Sequence, residues 1–243
     1  MTIDSTAARP DRVEHLASCE LMVGDGRWAF ADANAAAIDA HWAKRHAENP
    51  AMFDGTLFVM GDSRVEHGRF SGTLVRTSFK RLLYWKDHGY PDARVRDVFG
   101  SALITSAEGH VVLGRQAAGN LNAGLAYLPG GFIDHRDVAA DGRVDLEASV
   151  ARELTEETGL SPAELQRQPG LLATHAGALT SIAVPYRSAL TSADLVRRIA
   201  AHIASEASPE LSEPVVIRGA ADLRGLGMPS YASVLLAHLF PTK

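Results

Sequence analysis

The sequence predicts a fold that mixes sheet and helix, and three observations carry that expectation. Short runs rich in Val, Ile and Leu, bounded by Gly, Pro, Asn or Asp, recur from about residue 95 onward and read as strands. Longer amphipathic stretches, apolar at every third or fourth position, fall between them. One of these stretches carries its own boundaries. Asp145 stands where a helix opens, Leu146, Val150 and Leu154 form an apolar stripe, and Gly159 stands where the helix stops. Periodicity alone places the chain in the α/β or α+β class and goes no further.

In chain order, residues 1–11 read as a loose tail. Residues 15–23 alternate as one strand that ends at Gly24-Asp25-Gly26. Residues 32–49 are helical, with Ala35, Ile38 and Trp42 on one side, and Asn49-Pro50 closes the helix. A turn at Phe53-Asp54-Gly55 precedes strands at 56–60 and 70–76 and a helix at 78–88 that Gly89 ends. Residues 98–105 and 110–114 form a hairpin across Ser106-Ala107-Glu108-Gly109. A loop over 115–124 leads through 126–128 into Pro129-Gly130-Gly131. Beyond the 146–158 helix come strands at 170–174 and 179–186, and a helix at 194–204 capped by Thr191 or Ser192. A strand at 214–218 and a helix at 230–240 complete the chain.

Composition excludes several classes. The chain has 243 residues, 46% of them hydrophobic, and a net charge of −5, which gives no electrostatic reason to expect nucleic acid or an anionic membrane as partner. No apolar run approaches a membrane span, and the N-terminal residues lack the apolar centre of a secretory signal. Cys19 is the single cysteine, so no internal disulfide exists; a cytoplasmic location is expected. There is no phosphate-binding glycine loop, no nucleophile elbow, and no paired His or Cys spacing that suits zinc. His175 reads as a structural histidine.

The chemistry concentrates at Arg152–Leu160, R-E-L-T-E-E-T-G-L. At about 100° per residue, Glu153, Glu156 and Glu157 fall within roughly a 100° arc and share one helix face. Three carboxylates so crowded repel one another and call for a cation, and hard oxygen donors suit Mg2+ or Mn2+. The plain alternative is a solvated surface helix with Arg152 and Glu156 paired one turn apart.

The same segment resembles the second half of the Nudix box, R-E-U-x-E-E-x-G-U with U aliphatic. Arg152, Glu153, Leu154, Glu156, Glu157, Gly159 and Leu160 meet all its specified places. Gly131, behind Pro129 and Gly130, matches the glycine that heads the box. The middle departs from the family pattern: twenty residues separate Gly131 from Arg152 where the family has thirteen. Asp137 stands where the pattern has its first Glu, which leaves Asp137, Asp141 and Asp145 as candidates for that carboxylate, or none of them.

The resemblance implies a Nudix-type α/β/α sandwich with a mixed sheet over residues 95–243, preceded by an N-terminal α/β extension over 1–94. It implies that Gly131, Glu153, Glu156 and Glu157 hold Mg2+ or Mn2+, with Glu153, Glu156 and Arg152 in catalytic roles. A general base is expected either in the box or on a later loop, where Glu206, Glu210 and Glu213 are the candidates. Arg115 and Arg187, beside expected strands, are candidates for holding substrate phosphates.

The order of N-P-A-M-F-D-G-T-L-F, S-F-K-R-L-L-Y-W and V-F-G-S-A-L-I-T resembles a Nudix branch that includes an animal UDP-glucose pyrophosphatase. The arm carrying the first two segments then forms a wall of the substrate pocket or a homodimer contact. The expected activity is hydrolysis of a nucleoside diphosphate linked to another moiety, a nucleotide sugar such as UDP-glucose first. ADP-ribose, a dinucleoside polyphosphate or coenzyme A are alternatives, as is a Nudix-like module that binds nucleotide without turnover.

Overall fold

The computed structural model describes residues 10–242. The chain runs β1 (Arg12–Leu16), β2 (Ser18–Val23), α1 (Ala29–Ala33), α2 (Ala35–Glu48), β3 (Thr56–Glu66), β4 (Arg69–Ser78) and α3 (Phe79–Asp87). It continues through β5 (Asp97–Thr105), β6 (Val111–Gln116), β7 (Ala126–Tyr127), α4 (Leu146–Thr158), β8 (Gln166–Arg167), β9 (Leu171–Ala176) and β10 (Leu179–Arg187). It ends with α5 (Ser192–Ser205), β11 (Leu211–Ile217) and α6 (Ser230–Leu239).

The main sheet has the order β1-β9-β10-β5-β6-β11 and is mixed: β10 and β5 run parallel, while the other neighbours are antiparallel. Alternation along its strands feeds two cores. On β5, Val98, Ala102 and Ile104 face a cluster that takes in Leu146, Val150 and Leu154 of α4 and Leu195 and Ile199 of α5. Leu103 faces the other way, into a cluster with Tyr231, Ala232, Leu235 and Leu236 of α6. Helices therefore cover both faces, and the expected mixed α/β sandwich is present. Close approach of α4 depends on Gly100, where an added Cβ would lie 2.4 Å from Val150 Cγ2.

The arm contributes a second, three-stranded sheet of order β2-β4-β3. A third core packs Trp28, Ile38, Leu57, Leu82 and Trp85 beside it. The continuous alternation of residues 15–23 hides a break. β1 is the edge strand of the main sheet, paired with β9, whereas β2 lies parallel to β4 in the second sheet. The crossing falls at Ala17, whose N–H bonds the carbonyl of Gly68 at 2.7 Å. Nothing in residue type marks it, because each half-strand finds its own partner through tertiary pairing. Strand β1 also begins at Arg12, just past the expected tail, whose residues 1–9 lie outside the described part of the chain. The expected strands at 56–60 and 70–76 extend to a full hairpin closed by His67-Gly68, both at positive φ (50° and 76°), as a tight two-residue turn requires. The expected helix at 32–49 starts earlier and is split at Asn34 into α1 and α2.

His175 is buried on β9 and bonded at 2.8 Å to Glu14 of β1, so the structural reading of this residue holds. Among the described residues no helix is long and apolar enough to cross a membrane.

Two outcomes test this packing. Gly100→Ala is expected to lower stability by about 1–3 kcal/mol through overpacking, read from urea denaturation. Burial pushes the His175 imidazole down to about 4, so the unfolded chain takes up this proton near pH 6.5 while the folded one does not. Protons then favour unfolding between those values. His175→Gln is expected to flatten the loss of stability measured as pH falls from 6.5 to 4.

Candidate active site

The site is built where β5 and β6 part. They pair at only two rungs, Ile104 with Val112 and Thr105 with Val111. Into the gap below comes the segment from β7 to Phe132. β7 bonds to β6, Pro129 O accepts from Ala102 N at 2.7 Å, and Phe132 bridges to Phe99 of β5. Pro129-Gly130-Gly131 is thus held between two strands. At Gly130 the neighbouring backbone leaves room only for glycine, and a side chain at Gly131 would displace the Glu153 carboxylate. A Cβ on Gly130 would lie 2.3 Å from the Gly100 carbonyl oxygen, and one on Gly131 would lie 2.6 Å from the carboxylate of Glu153.

Helix α4 lies over this segment. Asp145 is its N-cap, accepting from Ala148 N at 3.0 Å, and Gly159 ends it in the left-handed region at φ 67°. Glu157 is buried and accepts from Tyr127 Oη at 2.9 Å and from Gly130 N at 3.1 Å. Burial pushes its carboxyl well above the usual range, against the pull of these donors. Glu153 is mostly buried against Gly131 and is raised by burial, with Arg152 opposing. Glu156 is more exposed, 3.6 Å from Arg152.

Arg152 is fixed from two sides. Its guanidinium reaches Glu153, and its Nη2 donates to Asp137 Oδ1 at 2.9 Å. Asp137 is buried in the short turn His135–Asp137, and its other oxygen accepts from Asp134 N at 3.0 Å. The three candidates for the first box carboxylate therefore separate by contact. Asp137 holds Arg152, Asp141 pairs with the exposed Arg143, and Asp145 caps the helix. The inserted residues form a small hairpin, Val138 bridged to Val144, which docks on β2 of the arm through Met22 and Arg143.

A cleft of about 500 Å³ opens over these groups, lined by Glu153, Gly131 and Phe132 and by residues from distant parts of the chain. Of the three candidate bases, only Glu210 lines it. Its carboxylate has no hydrogen bond or ion pair among the described residues, and burial together with Glu156 and Glu206 raises it. Glu213 lies instead against Arg115 at 2.6 Å, and Glu206 stands 3.6 Å from His202. Neither proposed phosphate-binding arginine lines the cleft. Arg115 is engaged by Glu213 and the Gly124 carbonyl, stitching β6 to its loop. Arg187, at the far end of β10 opposite Thr105, lines a separate hollow with Glu164 and Gln166. The cations at the cleft are Arg136, held by Asp134 at 2.7 Å, and Arg45, 3.3 Å from Asp87. Arg136 follows Gly131 by five residues and could have been sought in that loop; Arg45 carries no local signal. Asn49, Met52 and Phe53 show that the arm walls the cleft within a single chain.

The donors fit a hard divalent cation by chemistry. Glu153, Glu156, Glu157, Glu210 and the Gly131 carbonyl are all oxygen donors, and Arg152, already engaged by Asp137, is the cation nearest the helix carboxylates. Among the described residues, no three His, Cys, Asp or Glu side chains stand grouped as a ready metal cluster. Glu157 is turned onto Tyr127 and Gly130 instead.

The site is thus a carboxylate-bearing helix clamped over a glycine loop at a mixed sheet between helices. Residues 95–179 match the family model of the NUDIX domain. No curated protein matches the chain. Among solved structures, the MutT protein from Methanosarcina mazei Go1 is 26% identical over 56% of this chain and 86% of its own, with a TM-score of 0.37. RenU, a Nudix hydrolase from M. smegmatis, is 18% identical over 58% of this chain and 81% of its own (TM-score 0.37). A bifunctional NMN adenylyltransferase/ADP ribose pyrophosphatase from Francisella tularensis is 15% identical over 59% of this chain and 40% of its own (TM-score 0.39).

Asp137→Asn leaves Arg152 without its buried carboxylate partner. With Glu153 still paired to Arg152, the expected result is a loss of about 1–3 kcal/mol in unfolding free energy, measured by chemical denaturation.

Proposed function

We propose that the chain hydrolyses the diphosphate of a nucleoside diphosphate linked to another moiety, with a nucleotide sugar such as UDP-glucose as the leading substrate. The products would be a nucleoside monophosphate and a sugar 1-phosphate. The observation that carries this reading is the convergence of Glu153, Gly131 and Glu210 on one cleft. Its volume falls within the range common for small-molecule sites.

Glu153, Glu156, Glu157 and the Gly131 carbonyl would hold Mg2+ or Mn2+, in keeping with the general use of divalent metal by Nudix hydrolases. Bound there, the cation supplies charge neutralisation on the diphosphate oxygens. Arg152 orients Glu153 through a charge-assisted pair and is itself oriented by Asp137. Glu210 is the general base: it reaches the cleft, its carboxylate has no other partner among the described residues, and burial makes it a better proton acceptor. Arg136 and Arg45 replace Arg115 and Arg187 as the cations offered to phosphate. The arm's wall would select the moiety beyond the diphosphate. A cytoplasmic setting accords with the same reading.

The test is product analysis over UDP-glucose, ADP-ribose, a dinucleoside polyphosphate and coenzyme A with Mg2+. Glu157→Gln is expected to lower kcat/KM by about two orders of magnitude or more on the best substrate. Glu210→Gln is expected to lower kcat by about 10²-fold or more with KM little changed. Full activity in Glu157→Gln would overturn the metal assignment.

A further inference from the structure

One aromatic side chain of the cleft plays no part in the hydrolysis itself. Phe53 lines the cleft and is 80% exposed. Among the described residues the other large apolar side chain left exposed is Met22, at 40%. A lone exposed apolar residue is ordinary on a convex surface, but this ring belongs to the wall of a concave site.

The exposure is built into the loop after α2. Asn49 Oδ1 accepts from Ala51 N at 3.2 Å, Met52 N donates to Asn49 O at 3.1 Å, and Gly55 N donates to Phe53 O at 3.0 Å. Asn49 Nδ2 donates to Gly119 O at 3.0 Å, which ties this loop to the one that follows β6. The edge of the Phe53 ring rests on Gly55, where an added Cβ would stand 3.3 Å from Phe53 Cε1. Gly55 O in turn accepts from Phe79 N at 3.0 Å, and Phe79 meets Phe132 edge-on with ring centroids 6.2 Å apart. Phe132, Phe79 and Phe53 thus form an aromatic strip that leads from Gly131 along the arm. The first two rings cover one another, whereas Phe53 has no ring partner among the described residues.

Polar groups accompany the bare ring. Glu48 ends α2, five positions before Phe53, and also lines the cleft. Its carboxylate is about half exposed, with Arg45 3.8 Å away, which leaves oxygen lone pairs for donors. A pyranose has the matching double character. Its faces carry C–H bonds, which suit the negative face of a phenyl ring, and its rim carries hydroxyls, which donate to a carboxylate.

We propose that Phe53 is a specificity-determining residue that carries the sugar ring of the substrate on its face, with Glu48 accepting from hydroxyls at the rim of that ring. The inference rests on the reading of this cleft as the site of a nucleotide sugar, and it names the part of the wall that meets the sugar. The nucleobase is the competing occupant. An acceptor-only carboxylate beside the ring favours the sugar, because a pyranose offers several hydroxyl donors and the uracil of UDP-glucose offers one N–H.

The experiment is calorimetric titration of the full chain in Mg2+ with glucose 1-phosphate and, separately, with UMP. Phe53→Ala is expected to weaken glucose 1-phosphate binding roughly tenfold and to leave UMP binding unchanged. Phe53→Tyr, which keeps the ring, is expected to bind as the unaltered chain does, and Phe53→Leu, apolar without a ring, as Phe53→Ala does. Glu48→Ala is expected to weaken glucose 1-phosphate binding several-fold. Three results overturn the proposal: no glucose 1-phosphate binding by the unaltered chain, unchanged binding in Phe53→Ala, or a loss confined to UMP, which would put the base on the ring. Hydrolysis of UDP-glucose by Phe53→Ala with unaltered KM sinks this inference and spares the reaction. Sugar-phosphate binding that depends on Phe53, in a chain that hydrolyses no nucleotide sugar, does the reverse.

Discussion

The buried carboxylate of Glu157 is the contact on which this architecture turns. It joins one helix to two points of a single extended segment, the Tyr127 hydroxyl and the Gly130 amide. A charge removed from water at this depth is tolerated only when donors meet it. The requirement therefore runs both ways. The glycine loop must thread between β5 and β6 so that Gly130 N points at the helix, and α4 must lie close enough for the side chain to reach. Gly100 and Gly131 serve the same approach, the first by admitting Val150 and the second by admitting Glu153.

The parting of β5 from β6 makes room for that thread. Two rungs hold the strands at one end, and the parallel pairing of β5 with β10 holds the other side of the sheet. The cleft is thus a consequence of how the sheet opens. Its walls come from sequence-distant elements: the end of α2 and the loop after it, the residues following β6, and the approach to β11. The α4 carboxylates are set on a rigid element, while much of the remaining lining comes from loops.

What could be read in the sequence was local. The carboxylates of α4, its aspartate cap, its terminal glycine and the Pro-Gly-Gly approach are all written within thirty-odd residues, and the cap and the terminal glycine stand as expected. The change of sheet at Ala17 was hidden because period-two alternation reports exposure and says nothing about the neighbouring strand. Arg187 looked suitable because it ends a strand near the core, yet sequence does not say at which end of the sheet that terminus lies. Arg45 carries no local signal, and only the fold separates Glu210 from Glu206 and Glu213 by bringing it over the same hollow. The contact of Asp137 with Arg152 spans fifteen positions and exists only because the intervening loop runs outward and returns.

That outward loop has a partner. Gly142 O accepts from Val23 N at 2.8 Å and Val144 N donates to Leu21 O at 3.0 Å, so the additional residues of the box lie along a strand belonging to the arm. At the opposite margin, β1 covers what would otherwise be the bare rim of β9. A fragment trimmed to residues 95–243 would lose both supports at once, leaving a raw edge and a flap with nothing to lie on. The loop before α4 and the preceding segment thus support one another.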